Sequence, residues 1–80
     1  MSETEKLWTD KVADKLVGRT VTGVRYATEK ECAEMGWYSR PVILILDDGS
    51  YIFPMADDEG NDGGAMATSH DDLTTIPVLR

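Results

Sequence analysis

The chain has 80 residues, 41% hydrophobic and 29% charged, values typical of one small globular domain spanning residues 1–80. Its longest apolar run is five residues, too short to span a bilayer, and its single cysteine excludes an internal disulfide. Residues 1–40 hold seven acids and seven bases, whereas residues 41–80 hold eight acids and one base, which accounts for the net charge of −7. This charge argues against nucleic acid and membranes as partners and favours cations or basic proteins. Since the N-terminus has no secretory pattern, a cytoplasmic protein is expected.

The first 17 residues predict an amphipathic helix. Ser2 suits the N-cap position, and Trp8, Val12 and Leu16 recur every four residues as an apolar stripe. Gly18 is the expected stop. We expect this helix to pack on a sheet through its stripe.

Two further elements precede the middle of the chain. Residues 19–28 are rich in β-branched side chains and predict a strand, in which Gly23 indicates a bulge. Residues 28–36 predict a short second helix with a capping box at its start and a glycine at its end. Cys32 falls on the inward side of this helix, so it is expected to be a buried thiol and not a nucleophile.

Residues 41–55 predict a β-hairpin. Asp48 and Gly49 form a pair typical of a two-residue type I′ turn, which would place Leu46 opposite Tyr51. Both faces of such a hairpin are apolar, so it should be central and covered on both sides. A helix would cover one side, and sheet curvature, a loop or a second subunit the other.

Residues 57–72 contain six acids and three glycines and are expected to form a long connection, followed by an edge strand near Pro77. The acids could hold Ca²⁺ or Mg²⁺, which prefer oxygen ligands, although the EF-hand spacing counted from Asp58 fails. The alternative is a solvated loop that holds no ion. The candidate metal ligands are Asp57, Asp58, Glu59 and Asp62.

The segment GWYSRP contains residue types that are enriched in binding hot spots. Arg40 could stack on Trp37 or form a bidentate pair with a carboxylate of the acidic loop, which would order that loop. Alternatively, Trp37 is a core residue beside a solvated arginine. The candidate binding surface consists of Trp37, Tyr38, Arg40 and Asn61.

The block from Gly36 to Met66 combines Gly-Trp, Arg-Pro, an LDDG hairpin and a DDEGN loop. In this combination it resembles a family of small prokaryotic proteins of unknown function. The resemblance implies a self-standing small domain and no particular activity.

Together these patterns predict an α+β domain. An N-terminal helix packs on a strongly twisted antiparallel sheet, or on a small partly closed barrel, of three to five strands, with a short second helix before the central hairpin. The leading functional hypothesis is a non-enzymatic interaction module whose partner is a second copy or a basic protein. The second is a domain that binds a divalent cation or small ligand through the acidic loop; the third is a small enzyme or an enzyme accessory subunit. No catalytic residue or cofactor can be named, because no nucleophile, base and orienting group converge.

Overall fold

The computed structural model describes residues 2–80 and has the predicted α+β fold, with two helices and two antiparallel sheets. Strands β1, β2 and β3 form one sheet in that order, and β4 and β5 form the other. The described strands do not close into a barrel, so the open-sheet alternative is the one observed. No helix in residues 2–80 is long and apolar enough to cross a bilayer. The elements are α1 Glu3–Leu16, β1 Val21–Tyr26, α2 Glu29–Met35, β2 Val42–Leu46, β3 Tyr51–Ile52, β4 Met66–His70 and β5 Leu73–Ile76.

Both helices begin and end close to where the sequence predicts. The Ser2 side chain accepts a hydrogen bond of 3.0 Å from the backbone amide three residues later. Gly18, just beyond α1, has φ of +82°, a backbone conformation that glycine adopts without strain. In α2 the reciprocal capping box between Thr28 and Glu31 is complete, and Gly36 caps the other end with φ of +74°. These local signals therefore suffice to set the helix ends.

The apolar stripe of α1 is not buried against the sheet as expected. None of the described residues 3–16 of α1 is buried, and Trp8 is 59% exposed. The helix that covers a face of the sheet is α2, which contributes the buried Cys32 to a core cluster with Ala27, Trp37 and Ile43. Charged residues make up half of α1, and its apolar stripe is narrow, so most of its surface suits contact with solvent.

The three-stranded sheet has two apolar faces. The bulge predicted at Gly23 is confirmed, since the pairing with β2 shifts between Val21 and Gly23. One face, here called the α2 face, carries Ile43, Ile45 and Tyr51. The opposite face, here called the open face, carries Val21, Val24, Tyr26, Val42, Leu44, Leu46 and Ile52.

The turn of the central hairpin differs from the prediction. Leu46 donates to the Ser50 carbonyl at 2.8 Å and accepts from the Gly49 amide at 3.0 Å, so the loop has three residues. Gly49 has φ of +85°, and no non-glycine residue between 2 and 80 has a positive φ, which excludes type I′. The extra loop residue moves every β3 side chain to the other face: Tyr51 pairs with Ile45 and lies on the α2 face.

The C-terminal region is also more regular than expected. The predicted long connection at 57–72 ends early, because β4 begins at Met66 and pairs with β5 in a second hairpin. With two strands in this sheet, both are edge strands, so Pro77 directly follows an edge strand as predicted. The following segment returns to the main sheet: the Tyr26 hydroxyl donates to the Pro77 carbonyl at 2.8 Å, and Arg40 and Leu79 exchange backbone hydrogen bonds. It covers the Val42 end of the open face, which α1 leaves uncovered.

Gly49→Ala tests the three-residue turn. A Cβ at this position would meet no atom within 4 Å, so the cost comes from the positive φ alone. We expect a loss of about 1–2 kcal/mol in the free energy of unfolding, measured by urea denaturation. Gly49→Asn is the matched control and should lose less, because asparagine tolerates this conformation. Equal stability of the alanine variant and the parent chain would contradict this turn.

Candidate recognition surface

The acidic segment between β3 and β4 is an ordered loop. An isolated bridge between Met55 and Gly63 closes its base, and the Ala56 amide donates to the Asp62 carbonyl at 2.9 Å. A Cβ on Gly63 would lie 2.5 Å from the Ser39 carbonyl oxygen. Only glycine at position 63 therefore lets the loop lie this close to the GWYSRP segment. The loop and this segment therefore form one surface.

The Asp62 carboxylate joins the loop to that segment. Its Oδ1 accepts hydrogen bonds from the backbone amides of Ser39 at 2.9 Å, Tyr38 at 3.1 Å and Gly63 at 2.8 Å. These bonds, chiefly the one from Ser39, hold the pKa of Asp62 below its usual value. A carboxylate that satisfies three amides acts as a structural anchor.

Asp57 performs a similar task within the loop. Its side chain accepts from Asn61 Nδ2 at 2.8 Å and from the amides of Glu59 and Asn61. The contact with the Asn61 side chain, followed by the backbone bonds, lowers the pKa of Asp57. Asn61 is thus engaged inside the loop, whereas Asp58 and Glu59 are exposed.

Trp37 connects the loop to the core. The side chain is 6% exposed, and its Nε1 donates to the Gly60 carbonyl at 2.7 Å. Its ring packs edge-on against Phe53, with centroids 5.8 Å apart. Trp37 is therefore a core residue and also the residue on which the acidic loop rests, which combines the two alternatives that the sequence left open.

Arg40 does not form the pair with the acidic loop that the sequence left open as one alternative. Arg40 Nε donates to the Ala27 carbonyl at 2.7 Å, and the Arg40 backbone pairs with Leu79. The neighbouring Pro41 lies against Gly63 of the loop. Because successive side chains of an extended segment point to opposite sides, the Arg40 side chain points away from the loop. Backbone amides supply the donors that the arginine was expected to provide.

The predicted metal ligands do not form a recognisable centre. In residues 2–80 there is no group of three or more His, Cys, Asp or Glu side chains placed to hold a metal ion. Asp57 and Asp62 direct oxygens to amides, as described above. Cys32 is buried as expected, and burial raises the pKa of its thiol, which does not suit a nucleophile.

An aromatic cleft of about 200 Å³ opens beside Trp37 on the α2 face. Tyr51 and Phe53 stack with their ring centroids 6.2 Å apart and form one wall, and Trp37 meets Phe53 at 62° to form a corner. Tyr38 and Arg40 instead border a shallow groove on the other side of Trp37. The aromatic cleft is lined mainly by Glu31, Met35, Trp37, Ile43, Tyr51 and Phe53.

An ion pair borders this cleft. Arg25 NH1 and NH2 donate to the two carboxylate oxygens of Glu31 at 2.8 and 3.1 Å, and Glu31 also accepts from the Thr28 amide. The Arg25 guanidinium, together with the Thr28 amide, lowers the pKa of Glu31 to about 2. Glu31 is therefore ionised at neutral pH and already paired.

Sequence reasoning identified Trp37 and the loop but not the cleft. It missed Tyr51 and Phe53 because the assumed two-residue turn put both of them on the other face. The sequence Asp47-Asp48-Gly49 also fits a three-residue turn with glycine in the last position, and considering that turn would have placed them correctly.

No protein-family model, no curated protein and no solved structure matches this chain.

Asp62→Ala tests the anchor. It removes the acceptor of three amide hydrogen bonds, so we expect hydrogen exchange at Tyr38, Ser39 and Gly63 to accelerate roughly tenfold or more. Asp62→Asn keeps an oxygen that can accept and should show a smaller effect. Exchange rates are followed by amide NMR; unchanged rates in Asp62→Ala would show that the loop is held by other contacts.

The Arg25–Glu31 pair predicts a pH dependence. Because the pKa of Glu31 is lowered on folding from 4.5 to about 2, its stabilising contribution is complete above pH 4.5 and is lost as the pH falls toward 2. The urea midpoint is measured at several pH values. As the pH falls through this range, it should decrease less steeply in Glu31→Gln than in the parent chain. Glu29→Gln removes a carboxylate of the same helix but keeps the pair, and it should follow the parent chain. Parallel curves for all three proteins would contradict this assignment.

Proposed function

We propose that this chain is a non-enzymatic interaction module that binds a basic segment of a partner protein. In this proposal, one apolar side chain of the partner occupies the aromatic cleft, and its lysines or arginines lie near the acidic loop. The observation that carries the proposal is that an exposed aromatic cleft and a fixed acidic loop share one residue, Trp37.

The size of the cleft supports a peptide anchor. Sites for small molecules and cofactors are generally 300–1,000 Å³ in volume, whereas this cleft has about 200 Å³. A single leucine, proline or phenylalanine side chain suits such a volume. Trp and Tyr walls are also typical of the pockets in which partner anchors bind.

The charges near the cleft support a basic partner. Asp58 and Glu59 adjoin Gly60, whose carbonyl contacts Trp37, and both are exposed. Neither forms a salt bridge with any residue between 2 and 80. Arg25 is neutralised by Glu31, so the net field on this side is negative. Exposed charges of this kind mainly increase association rate and specificity, whereas the cleft supplies affinity.

Titration with defined peptides tests the proposal. Short lysine-rich peptides with one central leucine are added to ¹⁵N-labelled protein, and the Trp37 side chain and the amides of Tyr51, Phe53 and Gly60 are followed. We expect saturable shifts confined to these residues, with affinity that falls as salt rises. A glutamate-rich peptide with the same leucine, and a lysine-only peptide, should bind at least about tenfold more weakly.

Two tyrosine variants make the test specific. Tyr51 lines the cleft and is exposed, so Tyr51→Ala should leave the fold intact and weaken binding about tenfold. Tyr38 is 85% exposed and lies outside the aromatic cleft, so Tyr38→Ala should bind as the parent chain does. Equal binding of both charge types, or equal effects of both variants, would overturn the proposal. Saturable shifts of Gly60, Asn61 and Gly63 with Ca²⁺ alone would favour the cation-binding alternative.

A further inference from the structure

Two apolar surfaces within residues 2–80 are partly uncovered. The first is the α1 stripe, defined as Trp8, Val12 and Leu16; Trp8 and Val12 are more than half exposed. The second is the β1 edge of the open face, where Val21 and Val24 are also more than half exposed, whereas Val42 and Leu46 on the same face are buried. A helix without a sheet and a sheet face without a helix are the two halves of a common packing unit.

The dimensions of the molecule agree with a helix that stands away from the body. The radius of gyration is 14.1 Å, compared with about 12 Å for a compact domain of 80 residues. Helix α1 is about 21 Å long, and strand β1 is about 20 Å long. The stripe from Trp8 to Leu16 spans about 12 Å, which is comparable to the roughly 10 Å between the exposed Val21 and Val24.

The charges beside the α1 stripe favour a second copy of the chain as its binding partner. Lys11 and Lys15 flank the stripe, and Lys11 Nζ lies 5.2 Å from the centroid of the Trp8 ring. These lysines disfavour a basic partner. Helix α1 also carries four acids against three lysines, which does not suit an anionic membrane surface.

A second copy offers matching charges. Asp47 and Asp48 follow the end of β2 and lie 3.6 and 3.8 Å from Arg19, and Asp48 Oδ1 also accepts from the Ser50 amide. Two acids against one arginine leave a net negative charge at the Leu46 end of the sheet, which complements a stripe flanked by lysines.

We propose that two copies of this chain exchange α1, so that the stripe of each protomer packs on the open face of the other. Because the exchange is reciprocal, the stripe and the face of each protomer are both occupied, and the assembly closes as a two-fold dimer. The exchange covers two stripes and two sheet faces in one assembly. The connection at residues 17–20 contains Gly18, whose positive φ sets the direction in which α1 leaves the body.

This dimer is independent of the proposed function. The open face and the aromatic cleft lie on opposite sides of the sheet, so a failure of peptide binding leaves the dimer untouched, and the reverse also holds.

Two measurements on the full chain test the exchange. Sedimentation equilibrium from about 10 μM to 1 mM gives the mass and the dissociation constant. Isotope-filtered NOE spectra are then recorded on an equal mixture of ¹³C,¹⁵N-labelled and unlabelled chains that has been unfolded and refolded together. We expect a dimer with cross-chain NOEs between the Trp8 ring of one chain and the Val24 methyl groups of the other.

Variants connect both measurements to the named surfaces. Trp8→Glu and Val24→Glu alter exposed side chains, so each should remain folded, and each should raise the dissociation constant about tenfold or more. Asp10→Ala, on the opposite side of α1, should leave the dissociation constant unchanged. A monomer at 1 mM, a dimer without these NOEs, or Trp8–Val24 NOEs found within one chain only would each overturn the exchange.

Discussion

The carboxylate of Asp62 is the constraint on which the recognition surface depends. It accepts hydrogen bonds from the amides of Tyr38, Ser39 and Gly63 and so fixes the acidic loop against the segment before β2. With the loop in place, the Gly60 carbonyl satisfies the indole nitrogen of Trp37, a donor that would be costly to leave unpaired in a buried side chain. One ionised side chain thus determines the position of both the loop and a wall of the cleft.

The register of the central hairpin is the second constraint, and it acts independently of the first. A three-residue turn ending at Gly49 places Tyr51 opposite Ile45, on the same side of the sheet as α2. There its ring stacks on Phe53, which in turn meets the edge of Trp37. The cleft exists because the turn and the Asp62 anchor bring their aromatic residues to the same place.

The distribution of charge separates the surfaces of this protein. The loop side is acidic, and its nearby cation, Arg25, is neutralised by Glu31. The α1 stripe is apolar and flanked by lysines. In the two proposals these surfaces bind different partners, a basic segment at the cleft and a second copy at the stripe. Since the cleft lies on the α2 face and the stripe would cover the open face, both partners could bind at the same time.

The sequence by itself determined the features that depend on neighbouring residues: the capped ends of both helices, the bulge at Gly23, the buried Cys32 and the α+β class. These follow from local hydrogen bonding and side-chain periodicity. Only the tertiary structure decided the position of α1, the donors that hold Asp62, and the face on which Tyr51 lies. The first two depend on groups that are distant in the chain. The face of Tyr51 depends on one extra residue in a turn, which moves every side chain of the strand to the other face because the strand repeat is two residues.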